Sequence, residues 1–494
     1  MAPSITWRNG GMDSGDLATG VAILDFIHPP GYPLFVLLAH GFWRALPGVS
    51  PAFATNLFCA VLGSVSCAIA FVAGRSYVAH LEINRASPVL IQISASLATA
   101  LALASGALWW QQANLATVHA GNILLATLLV LCIVLLWQKP LTGRLAFLAG
   151  CVLGLATTHH LTLLGLPAAF FAAEMFNLRR WRIGAIREFL PFSVLKAGLA
   201  GTLIGLLPWA VLWWLGIRAP THIWGDPTTF RGFLDVVLAR QYHELLASPT
   251  VTSVAYRASR AIWTVARELG PVGFLVALGG LGLLWESDRR YVRFVLFSVI
   301  VYVVFFAFYS ARDVESYLLP VAIAMVPALA HGLMRTCGWI LDRWARLSPA
   351  IVVSAMPALV LIVGLALNAS TMNLRGDNEA LEYANAALAE APVNAILITE
   401  GDRHSFALWY AHHALGFRPD VTIVDRWFLR HETYRAHLNR TAPDVYFPPN
   451  GELTGAMLAS GAVSHRPIVV TTNDRWNTPM RSGKLLFEVV RSST

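Results

Sequence analysis

The stretch Asp13-Ser14-Gly15-Asp16, followed by His28-Pro29-Pro30-Gly31-Tyr32-Pro33, stands just ahead of AFATNLFCAVLGSVSCAIAFVAGR at residues 52–75. That run is apolar and long enough to cross a bilayer, which takes about 20 such residues. Runs of similar length follow at 88–110, 120–137, 193–216, 271–286, 293–310, 316–334 and 350–369. Carboxylates at the head of such a series fit a water-facing rim, because ionised side chains inside hydrocarbon are costly. The run at 144–178 carries Thr157-Thr158-His159-His160 at its middle. A polar centre in so long a run predicts two short helices meeting at a vertex. Residues 32–47 are apolar but short and contain His40 and Arg44, which fits an interfacial helix.

Composition agrees with this reading. Of 494 residues, 56% are hydrophobic and only 13% charged, and mean hydropathy is +0.58. Soluble domains carry about 25% charged residues, so the chain is expected to be an integral, multi-pass membrane protein of the cell membrane. Net charge +8 does not point to nucleic acid, because the basic residues form short clusters between apolar runs. Arg75 and Arg85; Lys139 and Arg144; Arg179, Arg180, Arg182 and Arg187; Arg289, Arg290 and Arg293; and Arg335, Arg343 and Arg346 occupy alternate loops. With those loops in the cytoplasm, about ten crossings place the Asp13 segment, residues 217–270 and the C-terminal tail outside. Met1 to Asp16 contains no apolar core, so no cleavable signal peptide is expected. Cys59, Cys67, Cys132, Cys151 and Cys337 lie in or beside apolar runs, and neither a disulfide, a zinc site nor thiol chemistry is expected of them.

Near Asn373 the composition changes. Asn378 to Ala391 reads as a helix, and Ala395–Ile398, Val421–Thr422–Ile423–Val424, Pro467–Val470 and Leu485–Val489 read as short strands. A helical stretch from Phe406 to Leu415 separates the first two, which predicts a small α/β domain with partly parallel pairing. The expected organisation is a first outer loop with its interfacial helix at 1–51, a multi-helix membrane domain at 52–369, and an extracytoplasmic α/β domain at 373–494. The segment 217–270 would form a large outer loop, longer than ordinary connectors.

The residues able to carry chemistry lie at the expected outer rim. Asp13 and Asp16, three apart, share a face if helical. Either can take a proton from a hydroxyl or ligate a cation, and either can simply cap a helix. His28 to Pro33 makes a stiff turn carrying an imidazole and the Tyr32 ring. His159 and His160 can meet phosphate or cap the vertex, but adjacent side chains diverge, which argues against a two-histidine metal site. Arg312 can hold a phosphate bidentately or pair with Asp313 on the surface. Trp224 and Tyr242 suit either a sugar-stacking platform or interfacial anchoring, and base rates favour the anchor for Trp224.

These motifs resemble the protein O-mannosyltransferase-like membrane family of the GT-C class of glycosyltransferases. The likeness continues in order through Asn56, Trp110-Gln111-Gln112-Ala113, Gly154-Leu155, His159-His160-Leu161-Thr162 and Trp224-Gly225-Asp226-Pro227. In the outer domain it continues through Asn394-Ala395-Ile396-Leu397, Gly401-Asp402, Leu408-Trp409-Tyr410 and Arg418-Pro419-Asp420. The resemblance implies a GT-C-like polytopic fold and an inverting transferase using a polyprenyl-phosphate-linked sugar, with the acidic first-loop residue as base. Asp13 takes that position, and Asp16 stands where the family usually has glutamate. Thr117-Val118-His119 replaces an acidic-aromatic family stretch. The family carries a helix ahead of this loop, whereas Met1 stands twelve residues before Asp13, so that helix is expected to be missing.

The expected activity is transfer of a sugar, mannose by family analogy, to an acceptor hydroxyl on the outer side of the membrane. The acceptor is a protein Ser or Thr, or a glycan. Asp13 and Asp16 are the catalytic candidates, and His28, Tyr32, His159, His160, Trp224, Asp226 and Arg312 the candidates for substrate binding. The partners are the lipid-linked donor, the acceptor and the bilayer. A divalent cation is the one candidate cofactor, and no resident protein metal site is expected. A transporter or lipid flippase is the alternative, but transporters place ionisable groups at mid-membrane rather than at the rim. A receptor sensing ligand through 373–494 is a third.

Overall fold

A computed structural model describes residues 1–81, 88–176, 191–218, 223–246, 249–344 and 346–491. Arg85 and the arginines at 179–187 lie outside the described residues. The fold is polytopic and helical, with a small five-stranded sheet near the C-terminus. Five described helices are long and apolar enough to cross a membrane: Pro51–Leu81, His119–Gln138, Phe192–Arg218, Arg289–Phe308 and Pro349–Met372. Two bent pairs, Val251–Glu268 with Pro271–Ser287 and Val314–Ala324 with Val326–Arg343, raise the number to seven if each counts as one span.

The helices pack in two ways that the sequence explains. Gly150 and Gly154 on Gly143–His159 face Gly198, Gly201 and Gly205 on Phe192–Gly205. A Cβ at Gly154 would sit 2.7 Å from the Gly205 Cα, and one at Gly201 would meet the Phe147 carbonyl. Small residues at helical spacing thus let two backbones touch, which is how helices associate where lipid tails compete for every apolar side chain. Pro349–Met372 shows the opposite face of the same rule. It is almost wholly unburied within the protein, and Leu359, Ile362 and Leu367 are exposed; such a surface is matched by lipid, not water. The vertex expected inside 144–178 is present, with Gly143–His159 ending at His160 and Gly165–Met175 following a short 3-10 turn.

The segment 217–270 differs from the extended loop expected. It holds the helix Phe230–Val237 and the 18-residue helix Val251–Glu268. The helix was hidden because Arg257, Arg260 and Arg267 break its apolar run. Those charges are used: Arg257 donates to the Ala307 carbonyl at 3.2 Å, and Arg260 pairs with Glu315. Gly270, at a φ of 72°, turns the chain through 101° into Pro271–Ser287.

At the C-terminus, β1 (Ile396–Thr399), β2 (Thr422–Asp425), β3 (Ile468–Val470), β4 (Met480–Ser482) and β5 (Phe487–Val489) pair in the order β2-β1-β3-β5-β4. The first three are parallel and β5 is antiparallel to β3 and β4. β4, a short edge strand reading Met-Arg-Ser, carries no apolar pattern and was not anticipated. The helix Asp402–Trp409 joins β1 to β2, and its Phe406 and Ala407 backbone lies against Gly15 of the helix Ser14–Ile23. Tyr410 Oη meets the amide of Ala52 at 3.3 Å. The N-terminal segment is clamped as well: Asn56 Nδ2 donates to the carbonyls of Ala2 and Ser4, both at 2.9 Å, and Thr6 hydrogen-bonds Asp377.

A Cβ at Gly15 would collide with the Phe406 carbonyl and lie 3.0 Å from the Ala407 amide nitrogen. Gly15→Val is therefore expected to lower the Tm of the purified protein in detergent, at a cost of about 1–3 kcal/mol. An unchanged Tm would show that the sheet region does not rest on this contact.

Candidate active site

The ends of the helices that meet the sheet region enclose a cavity of about 780 Å³, within the usual range for small-molecule sites. Its wall combines the N-terminal segment, the loops around 111–119 and 309–317, the vertex at His160, Gln241 and Tyr242, and Asp402 to His431 of the C-terminal region. Asp13, His28, Tyr32, His160, Trp224 and Arg312 all line it. Residues separated by hundreds of positions thus converge at one end of the fold.

Asp13 and Asp16 have different surroundings although they share a turn. Asp16 is 4% exposed and saturated. Its Oδ2 accepts from the His28 amide at 3.1 Å and from His28 Nδ1 at 2.8 Å, and its Oδ1 accepts from Trp224 Nε1 at 2.9 Å. Asp13 lies half-buried in the cavity wall, and among the described residues no hydrogen bond or ion pair holds its carboxylate. Desolvation is the main reason its pKa rises to about 7; His28 opposes the rise, while Asp313, Asp402 and Asp16 add to it. His28 is raised as well: burial disfavours its charge, but the Asp16 hydrogen bond and the charges of Asp13, Asp16 and Asp313 outweigh that.

The paired histidines separate, as adjacent side chains must. His159 turns away from the cavity, giving Nε2 to the Val118 carbonyl at 3.0 Å while its ring fills the space opposite Gly121. His160 stays in the cavity wall, with Nδ1 2.8 Å from Thr162 Oγ1. Tyr32 packs its ring 5.2 Å from that of His159 and 5.3 Å from that of His28, so the proline turn, the vertex and Asp16 brace one another.

Other candidates find different employment. Trp224 is no interfacial anchor: it is 8% exposed, packed 4.7 Å from the Phe428 ring centroid, and spends its one donor on Asp16. Asp226 is not in the cavity wall; its Oδ1 accepts from the Thr228 amide at 2.9 Å and closes a turn ahead of Phe230–Val237. Arg312 does not pair with Asp313. Asp313 instead accepts from His119 Nε2 at 2.7 Å; burial pushes its pKa up, but that bond, the charge of His119 and smaller contributions from the backbone and His160 together bring it below the usual value. Arg312 stays exposed to the cavity, its nearest described polar contact being Met12 Sδ at 3.5 Å.

Two features of the cavity wall carry no role in the sequence reading. Asp402, at the start of the helix after β1, enters the cavity wall, and burial raises its pKa while Arg312 opposes the shift. Its place in Gly401-Asp402 was the available signal. The His119–Asp313 pair joins residues 194 positions apart, which no spacing rule reveals. Among the described residues no group of three or more His, Cys, Asp or Glu forms a metal site.

Comparison with known proteins follows the same regions. Residues 13–182 match the protein O-mannosyl-transferase TMEM260 N-terminal domain, and residues 380–446 match TMEM260-associated domain 2. The first holds the Asp13 and His28 motifs and the vertex, the second the motifs of the C-terminal sheet region, so the resemblance read from them holds. Protein O-mannosyl-transferase TMEM260 of Mus musculus is 27% identical over 456 residues, covering 89% of this chain and 62% of that protein. The Dictyostelium discoideum protein O-mannosyl-transferase tmem260 is 22% identical over 490 residues, covering 89% of this chain and 57% of that protein. The chain spans about three-fifths of the length of these curated relatives. Among solved structures, ArnT from Cupriavidus metallidurans bound to undecaprenyl phosphate superposes over 99% of this chain and 95% of its own, with a TM-score of 0.56 and 13% identity. Its apo state gives a TM-score of 0.57 at 13% identity over 97% of this chain and 92% of its own. At that identity the likeness establishes a shared GT-C-like membrane fold.

Trp224→Phe keeps the ring packing but leaves Asp16 Oδ1 without its donor. An unsatisfied buried acceptor costs about 1–3 kcal/mol, so Tm in detergent is expected to drop. A variant as stable as the parent would remove Trp224 from the support of Asp16.

Proposed function

We propose that this chain is an inverting glycosyltransferase that moves a sugar from a polyprenyl-phosphate carrier to an acceptor hydroxyl on the outer side of the membrane. The observation that carries the reading is the unpartnered Asp13 carboxylate beside a fully hydrogen-bonded Asp16. A base needs a free lone pair facing substrate and a pKa near the working pH, and Asp13 has both. Asp16 is then a positioning residue, held with His28 and Trp224 to fix the turn that presents Asp13. The names of the relatives favour mannose as the sugar and a protein hydroxyl as the acceptor.

In the proposed step Asp13 takes the acceptor's hydroxyl proton as its oxygen bonds to the anomeric carbon. The bond from that carbon to the carrier phosphate breaks on the opposite face, which inverts the configuration. Phosphate leaves readily, so the site must chiefly stabilise developing negative charge. Arg312, exposed to the cavity and free of Asp313, is placed for that, with His160 nearby in the wall. Tyr32 and Tyr242 offer hydroxyls for the sugar from the same wall. These steps use side chains of the chain alone.

Asp13→Asn keeps the shape and removes the base. Transfer from a radiolabelled polyprenyl-phosphate sugar is expected to fall at least about a hundredfold while donor binding survives; retained turnover would sink the base assignment. In the parent, kcat/KM is expected to climb as pH rises through about 7, because only ionised Asp13 accepts a proton. Asp402→Asn removes a neighbouring negative charge that helps raise Asp13, so the climb should move to lower pH. A profile flat between roughly pH 5 and 9 would contradict a titrating base.

A further inference from the structure

Strands β2, β1 and β3 run parallel, so their carboxyl ends share one edge of the sheet, and the strand order reverses beside β1. Open α/β sheets bind ligands at that edge, near such a reversal. The loop after β1 sends Asp402 into the main cavity. The loop after β2, together with Glu452, Thr454 and Arg475, builds a second cavity of about 310 Å³ whose charged wall is Arg426, Arg430, Arg475 and Glu452. Trp427 and Arg430 belong to both walls, so the second cavity adjoins the first.

This groove is pre-organised for anions. The Arg426 guanidinium lies 4.5 Å from the Trp476 ring centroid and 2.6 Å from Glu400, and that of Arg430 lies 4.6 Å from the Trp427 ring centroid. Stacking on an indole holds the planar group; Arg426 spends one edge donor on Glu400, while Arg430 has no carboxylate partner among the described residues. The loop itself is pinned, since Asp425 accepts from the Trp427 amide at 2.7 Å and the Phe428 amide at 3.3 Å. Among the described residues no carboxylate pairs with Arg430 or Arg475. With Arg426 already paired to Glu400, Arg430 and Arg475 remain as unpaired cations facing Glu452 within a small volume.

We infer that the groove binds the carboxylates of an acidic polypeptide segment, holding Asp or Glu side chains beside the hydroxyl offered to Asp13. The inference rests on the transferase reading and names the class of acceptor. A prenyl-tethered phosphate fits the groove poorly. Its wall comes wholly from residues 426–475, beyond the last span-like helix, and only Trp427 and Leu453 give it apolar surface.

The test uses the full chain in detergent and labelled Ser/Thr peptides flanked by Asp and Glu or by Asn and Gln. Fluorescence anisotropy without donor is expected to show the acidic peptide binding about tenfold more tightly, the gap closing with salt, as charge-assisted recognition predicts. Arg475 is exposed and unpaired, so Arg475→Gln should keep its Tm and lose most of that gap, and Arg430→Gln, at a second exposed arginine with no carboxylate partner among the described residues, serves as the second variant. Equal binding of the two peptides, or a gap intact in both variants, would overturn the inference. So would capture of vesicles rich in anionic lipid through these arginines while acidic peptide fails to bind. Charge-dependent binding with no sugar transferred to any peptide would reject the transferase reading and leave the groove standing. Transfer indifferent to peptide charge would reject the groove alone.

Discussion

A buried carboxylate must find donors, and Asp16 finds all of its partners in two distant segments. The His28 amide and ring and the Trp224 indole converge on it. Leaving such a group unsatisfied costs more than the bonds themselves contribute, so the turn at 28–33, the helix starting at Ser14 and the segment at 224 are held in one arrangement. Asp13 occupies the same turn and receives none of these donors. One carboxylate is thereby held by donors and its neighbour left free, a division set by environment and not by residue type.

The site is composite in a second sense. One part of its wall is made of the ends of the helical region, while Asp402, Trp427 and Arg430 come from the C-terminal sheet region. The two parts meet where the glycine backbone at 15 touches that of Phe406 and Ala407, and where Tyr410 reaches Ala52. The edge of the sheet that ordinarily binds ligands faces this junction.

Much of this was legible in the chain. Apolar runs separated by basic clusters predict a multi-pass protein, because a bilayer imposes length and hydropathy that few other constraints do. Four of the five strands were visible as short, mostly apolar runs; β4 was not, since a three-residue edge strand needs no apolar face. The helix Val251–Glu268 was concealed by arginines, of which Arg257 binds the end of Arg289–Phe308 and Arg260 pairs with Glu315. Trp224 illustrates the same difficulty. A tryptophan beside membrane runs is usually an anchor, and only its burial against Phe428 and Asp16 gives it another role.

By itself the sequence determined that the chain is built to live in a membrane, that it carries a small α/β region, and that titratable and aromatic motifs stand at 13–16 and 28–33, because hydropathy and charge placement are local properties. Which of two neighbouring aspartates is free, that His119 answers Asp313, and that Asp402 and a wall of arginines share the site were decided only by the tertiary structure. Those depend on which donors arrive from far along the chain, and burial, not spacing, sets where they end up.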